Sequence, residues 1–177
     1  FVFWLLIQIT SSCSCEFFRV LANFLLCIGE FFRGVKMVET IKQASKNIGG
    51  LSNTSKMPCP SYGLNTDNCI TGSKMKMIDN TVCSICYVDN GFATVYPCVK
   101  IAQNNRLALY NSNPELWIES FTFILNKRKS EFFRWFDSGD LQSVKMLKDI
   151  VSICNNTPNC KHWLPTKEPK FVSEYIK

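Results

Sequence analysis

The chain has 177 residues, a net charge of +6, 46% hydrophobic residues and 19% charged ones. That mixture is too apolar for a disordered polymer, and the positive charge holds no long basic run of the kind that tracks a nucleic-acid backbone. Ten cysteines are present, but no secretory signal pattern accompanies them, so they read as thiols of a reduced, cytosolic context rather than as a disulfide framework.

Residues 1–36 are expected to lie outside the native domain. The chain begins with Phe1, and its first methionine is Met37. The apolar runs Phe1 to Ile9 and Val20 to Ile28 are each shorter than the roughly 20 residues that span a bilayer. Ser11 to Arg19 separates them with polar and charged groups. This stretch is read as upstream read-through, with a hydrophobic extension as the alternative. Residues 37–177 then form a single α/β domain.

Lys46 to Asp89 is rich in loop signals: Gly49-Gly50, Met57-Pro58-Cys59-Pro60, Gly63 and Gly72. A long aperiodic stretch in a compact domain needs something to hold it, and a metal supplies that. The stretch contains Cys59, Cys69, Cys83 and Cys86, the last two in Cys83-Ser84-Ile85-Cys86. Four thiolates are the ligand count of a tetrahedral zinc site or of an iron–sulfur cluster. The plainer alternative is four small apolar residues. Cys98 and Cys160 are spare thiols without paired spacing.

Val95 to Tyr110 reads as a helix, with Val99, Ala102, Arg106 and Leu109 near one face. Arg106 on that face is expected either to meet an anion or to pair with Asp137, Asp140 or Glu168. Asn113-Pro114-Glu115 is a helix start with Asn113 as cap. The helix that follows turns Trp117, Phe121, Ile124 and Leu125 to one side. Lys127-Arg128-Lys129 suits its carboxyl end, where the helix dipole favours cations.

Phe132 to Phe136 is an apolar strand, and Asp137-Ser138-Gly139-Asp140 is a turn able to open a helix. Val144, Leu147, Ile150, Val151 and Cys154 recur at helical spacing. Asn155-Asn156-Thr157-Pro158 stops that helix, and His162 to Pro165 returns to extended structure. Strand, helix and strand make a βαβ unit, so the strands are expected to be parallel. Ligand sites in such units gather beyond the strand carboxyl ends. Those ends are Asp137 to Asp140 and Thr166 to Glu168. Asp140 is also read as a helix cap, and His162 as a packed, hydrogen-bonded residue rather than a ligand.

Several motifs occur together in order: Met57-Pro58-Cys59-Pro60-Ser61, Cys69-Ile70-Thr71-Gly72-Ser73-Lys74, Cys83-Ser84-Ile85-Cys86-Tyr87 and Asn105-Arg106-Leu107-Ala108. Phe133 to Ser143 and His162 to Glu168 follow. In these the chain resembles the phage family called gene product eighty-eight, described as iron–sulfur proteins of unknown activity. The resemblance covers Lys56 to Glu168. It implies an iron–sulfur cluster, of the 4Fe–4S kind, on Cys59, Cys69, Cys83 and Cys86. It also implies that the family's sequence continues past Lys177.

A looser kinship is implied with radical S-adenosylmethionine enzymes, which are whole or partial α/β barrels. The implied fold is a partial parallel βα barrel-like sheet with a cysteine-rich metal loop. Ser138-Gly139-Asp140 is similar to the acidic motif that holds the cofactor's amino group. Asp137, Glu168 and Arg106 complete the implied cofactor site. The chain departs from the usual three-cysteine motif, because Asp79 stands where its first cysteine belongs.

The expected function is that of a cluster-binding protein, with a radical-SAM-like enzyme acting on a nucleotide, nucleic acid or protein as its catalytic form. The alternative is a non-catalytic binding module stapled by zinc or a closed cluster. No membrane partner is expected, and the location implied is the host cytoplasm. No phosphate-binding loop, dinucleotide fingerprint, HExxH or nucleophile elbow occurs.

Overall fold

The computed structural model describes residues 38, 40–55, 57–89, 91 and 95–177. The reading of residues 1–36 as foreign to the domain, and of Met37 as its start, lies outside them. Residues Val38–Lys177 form one compact unit. The described elements are helix α1 (Ile41–Ile48), strand β1 (Ser61–Tyr62), a 3-10 turn (Thr66–Asn68), α2 (Ile70–Met75), α3 (Pro97–Ser112), α4 (Pro114–Arg128), β2 (Phe132–Trp135), α5 (Val144–Asn156), β3 (Lys161–Trp163) and α6 (Pro169–Ile176). None of the helices among the described residues is long and apolar enough to cross a membrane.

The sheet has three strands in the order β1-β2-β3, all parallel. Phe133 pairs with His162 and Tyr62 with Trp135. The expected βαβ unit is therefore present as β2-α5-β3. The described residues form a mixed α/β fold with this small sheet, and no closed barrel is formed. Three strands of two to four residues lack the curvature and the number that closure requires. β1 was hidden in the loop-rich stretch, because two residues give no periodicity to read.

Helix starts follow local chemistry. Thr40 Oγ1 accepts from Gln43 N at 3.1 Å, Asn113 Oδ1 from Leu116 N at 3.0 Å, and Ser143 Oγ from Met146 N at 3.1 Å. Each satisfies a backbone donor that has no carbonyl within its own helix. Ser143, not Asp140, is thus the cap of α5. α1 ends on Gly49, whose φ of 74° is left-handed; glycine enters that region without penalty.

α4 buries Trp117, Phe121, Ile124 and Leu125, as its spacing predicted. α3 is turned differently from expectation. Its buried residues are Gln103, Arg106 and Tyr110, while Ala102 is exposed. The polar face wins because each side chain finds a partner inside. Gln103 Nε2 donates to Ser138 Oγ at 2.8 Å, Arg106 Nη1 to Gly63 O at 2.9 Å, and Tyr110 Oη to Asp149 Oδ2 at 2.8 Å. A buried polar group with a partner escapes most of the desolvation cost.

The core is an aromatic cluster between sheet and helices. Tyr62 meets Phe121 edge-on at 4.9 Å, Trp117 meets Phe121 at 4.6 Å, and Phe133 meets Trp135 at 4.9 Å. Edge-to-face pairs at this spacing add about 1 kcal/mol each beyond the area they bury.

His162 sits on the flank of this cluster as a neutral imidazole. Its Nδ1 accepts from Trp135 Nε1 at 3.2 Å. Thr157 Oγ1 donates to Ile153 O and lies 2.8 Å from His162 Nε2, so Nε2 carries the proton. Burial holds the imidazole below its usual range. The unfolded chain therefore binds a proton more readily than the folded one. Stability is expected to fall as pH drops below about 6.5. Urea unfolding followed across that range should show the slope in the parent and a shallower one in His162→Gln.

Candidate metal centre and adjoining cleft

Parallel strands divide the surroundings of the sheet into two ends, and the expected thiols separate between them. Cys69, Cys83 and Cys86 follow β1. Cys69 caps α2, and the turn holding Cys83 and Cys86 comes later in the same excursion from the sheet. Gly72, one turn into α2, is where two of these thiols meet. A Cβ at Gly72 would stand 3.0 Å from Cys69 Cβ, 3.6 Å from Cys69 Sγ and 3.7 Å from Cys83 Sγ. Burial, Asp140 and the thiols of Cys86 and Cys83 together push Cys69 up to about 12. Cys83 and Cys86 thus lie within electrostatic reach of Cys69.

Cys59 is placed elsewhere. It precedes β1, whose neighbour Pro60 accepts from Arg134 N at 3.2 Å, and Cys160 likewise precedes β3. Burial, Cys154 and Cys59 push Cys160 up to about 11. Cys69 and Cys83 thus converge beside Gly72 with Cys86 acting on Cys69, while Cys59 and Cys154 act on Cys160. β1 itself parts Cys59, just before the strand, from Cys69, which follows it. Among the described residues, no group of three His, Cys, Asp or Glu side chains stands ready to hold a single metal ion.

Cys83 and Cys86 line a cavity of about 460 Å³ together with Asp67, Lys76, Asp89 and Lys100. Lys76 pairs with Asp89, and Lys100 Nζ lies 3.2 Å from Asp67 Oδ2. The charges at this mouth are thus paired, and both thiols are reached from it.

The carboxylates expected at the strand ends do gather there, but two of them act as fasteners. Asp140 is buried. Its Oδ1 accepts from Leu141 N at 2.7 Å and from Thr166 Oγ1 at 2.6 Å, and its Oδ2 from Lys167 N at 2.6 Å. Glu168, also buried, accepts from Thr71 N at 2.6 Å and Thr71 Oγ1 at 2.8 Å. These bonds tie the ends of β2 and β3 to the first turn of α2, directly beside Cys69. Arg106 likewise directs its N–H groups at Gly49 O, Ser52 Oγ and Gly63 O. Its guanidinium also lies over the Tyr62 ring at 5.0 Å.

Ser138 and Gly139 are stitched to the loop after β1. Ser138 Oγ donates to Leu64 O at 3.0 Å, and Leu64 N donates to Ser138 O at 2.9 Å. Gly139 has φ 71°, and a Cβ there would stand 2.7 Å from Leu64 O. No larger residue fits that approach.

Asp137 differs from its neighbours. With Ser138 it lines a second cavity, of about 550 Å³, whose walls include Met57, Tyr87, Gln103 and Arg134. Asp137 Oδ2 accepts from Ser61 Oγ at 3.0 Å, while Oδ1 is buried without a partner. Of the residues the implied cofactor site names, Asp137 and Ser138 are the ones that face open volume.

Sequence reasoning took Gly72 as a loop signal and Thr71 as part of a motif, gave neither a role at the site, and passed over Gln103. For Gly72 a signal existed, since the Cys69-Ile70-Thr71-Gly72 spacing sets it one helical turn from the first thiol. Gln103 carried none.

These features define a small α/β protein in which two thiols, Cys69 and Cys83, meet beside Gly72 after the first strand of a parallel sheet. The chain belongs to the gene product 88 family, whose model matches residues 33–177. No curated protein and no solved structure matches it.

Removing the Asp140 carboxylate would leave the buried Leu141 N–H and the donors of Thr166 and Lys167 without their acceptor. Asp140→Ala is expected to lower unfolding free energy by about 3 kcal/mol, the scale for stranding buried hydrogen-bonding groups. Urea denaturation measures this. Stability equal to the parent's would show that Asp140 is not a fastener.

Proposed function

We propose that this chain is an iron–sulfur-cluster-binding protein whose cluster rests on Cys69, Cys83 and Cys86. The observation that carries the reading is the convergence of the Cys69 and Cys83 sulfurs on the bare face of Gly72, with Cys86 in reach. A cluster spreads its metals over several ångströms, so it accepts thiolates that stand too far apart for one ion with bonds near 2.3 Å. Zinc at a single centre fits these thiols less well.

Three thiolates also suit the catalytic form of the proposal. A four-iron cluster held by three cysteines keeps one iron open, which four ligands would have closed. The proposed activity is radical-SAM-like, on a nucleotide, nucleic acid or protein, with S-adenosylmethionine as cofactor. A bound cluster would supply one-electron chemistry. The protein's part is to hold the thiols through α2, anchored by Glu168 on Thr71, and to keep Asp140 close to Cys69. Asp140 then shapes the site as a fastener rather than by holding an amine. A reducing cytoplasm suits such thiols.

Anaerobic purification or reconstitution with iron and sulfide tests the reading. Expected is a brown protein whose iron and sulfide are lost in Cys69→Ala, Cys83→Ala and Cys86→Ala and retained in Cys59→Ala. Loss of iron in Cys59→Ala to the same degree would return Cys59 to the ligand set. A colourless protein with one zinc per chain would replace the enzyme by a stapled binding module.

A further inference from the structure

A parallel sheet is ordinarily covered on both faces, because its crossover helices pack against them. Here the two faces differ. Tyr62, Phe133 and Trp135 share one face and are buried in the aromatic core. Alternation turns Phe132 and Arg134 of β2, with Lys161 and Trp163 of β3, to the other face. Phe132 pairs with Lys161 and Arg134 with Trp163, so the four stand side by side. Phe132 is 45% exposed and Trp163 54%. Two large rings on one open sheet face are not ordinary surface residues.

Cations are interleaved with these rings. Lys161 Nζ lies over the Phe132 ring at 5.4 Å, and the Arg134 guanidinium lies over the Trp163 ring at 4.7 Å. Arg134 also stands beside the Tyr87 hydroxyl, which is fixed by donating to Asp137 O. Tyr87 is 68% exposed and directly follows Cys86. Three exposed rings and two cations thus run from the open sheet face toward the turn that carries Cys83 and Cys86. No basic run in the sequence announces this stripe, because its cations come from two different strands.

We infer that this face binds a single-stranded nucleic acid. Bases stack on the rings of Phe132, Trp163 and Tyr87, and the phosphates between them meet Lys161 and Arg134. A guanidinium on one side of the Trp163 indole leaves the other side for a base. Every base has an aromatic face, so such stacking demands no particular sequence. An apolar protein surface fits less well. It would cover two cations with no anion to meet them, and uncompensated charges are costly to bury. A duplex also fits less well, because its bases stack on one another and leave no face for the rings.

As a statement about substrate this rests on the proposed function, whose three substrate classes it narrows to one; the contacts themselves involve no thiol. The test is therefore run on the full chain as purified, with metal content measured, and repeated after chelation. Fluorescence anisotropy follows a labelled single-stranded oligonucleotide of about twelve nucleotides. Binding is expected in both conditions, with log Kd rising by about 1.4 per tenfold rise in salt, the slope for two phosphate contacts on a single strand. Trp163→Ala and Phe132→Ala should each weaken binding by about tenfold. Lys161→Gln should weaken it and lower the salt slope by about 0.7. Lys127→Gln, which removes the cation over Phe123 on α4, should leave it unchanged. Lys161→Gln alters one exposed side chain, so it decides the matter should an aromatic variant fail to fold. Absence of binding at low salt, unaltered affinity in Trp163→Ala and Lys161→Gln, or equal affinity for a duplex of the same length would each overturn the inference. Binding lost on chelation would do so too, by moving the strand to the metal. A dimer in sedimentation that Trp163→Ala dissociates would give the face to a second copy and overturn it as well. Binding intact in a chain that holds no iron would count against the cluster reading alone.

Discussion

The hydroxyl and ring of Tyr62 hold this protein together. The ring lies between Phe121, Trp117 and Trp135 on one side and the Arg106 guanidinium on the other. The hydroxyl donates to Ile48 O at 2.9 Å and accepts from Trp117 Nε1 at 3.2 Å. One residue of the shortest strand thus joins α1, α3, α4 and the sheet. Burial pushes its phenol well above the usual range, so the hydroxyl stays protonated and keeps donating. A two-residue strand could not be fixed by its ladder alone; the aromatic contacts fix it instead.

With Tyr62 in place, the loops around it inherit their positions. Arg106 reaches past the ring to Gly49, Ser52 and Gly63. Gly49 permits this, because a Cβ there would stand 2.8 Å from Arg106 Cγ. An uncompensated buried guanidinium would be costly, but here two backbone carbonyls, a hydroxyl and a ring face receive it. Gly63 then leads into Leu64, which Ser138 holds from the end of β2. The cavity between Asp137, Gln103 and Arg134 is what remains when these loops are fastened from behind.

The thiol cluster depends on a second chain of bonds. Asp140 fastens Thr166 and Lys167, and Glu168 fastens Thr71. Through them the rigid strand ends set where α2 begins, and so where Cys69 lies. Carboxylates crowded at the sheet end therefore avoid repulsion by facing different donors rather than a shared cation. Functional and structural readings of Asp140 meet here, since the same bonds that remove it from the cavity place the thiol.

The sequence by itself determined the elements with strong local signals. The Asn113-Pro114 start of α4, its Trp117 to Leu125 face and the β2-α5-β3 unit follow from capping and periodicity, which are properties of neighbouring residues. The thiol-bearing stretch and the polar strand ends were also legible, through residue type and the strand-end rule. Only the tertiary structure decided the rest. β1 is too short to carry a pattern. α3 presents Gln103 and Arg106 inward because their partners lie 35 and 43 residues away in the chain. Cys59 and Cys69 lie before and after one short strand, and Asp137 keeps one buried oxygen without a partner while Asp140 is met by donors from Thr166 and Lys167. Each of these outcomes turns on a hydrogen-bond partner remote in sequence, and such partners are chosen by packing.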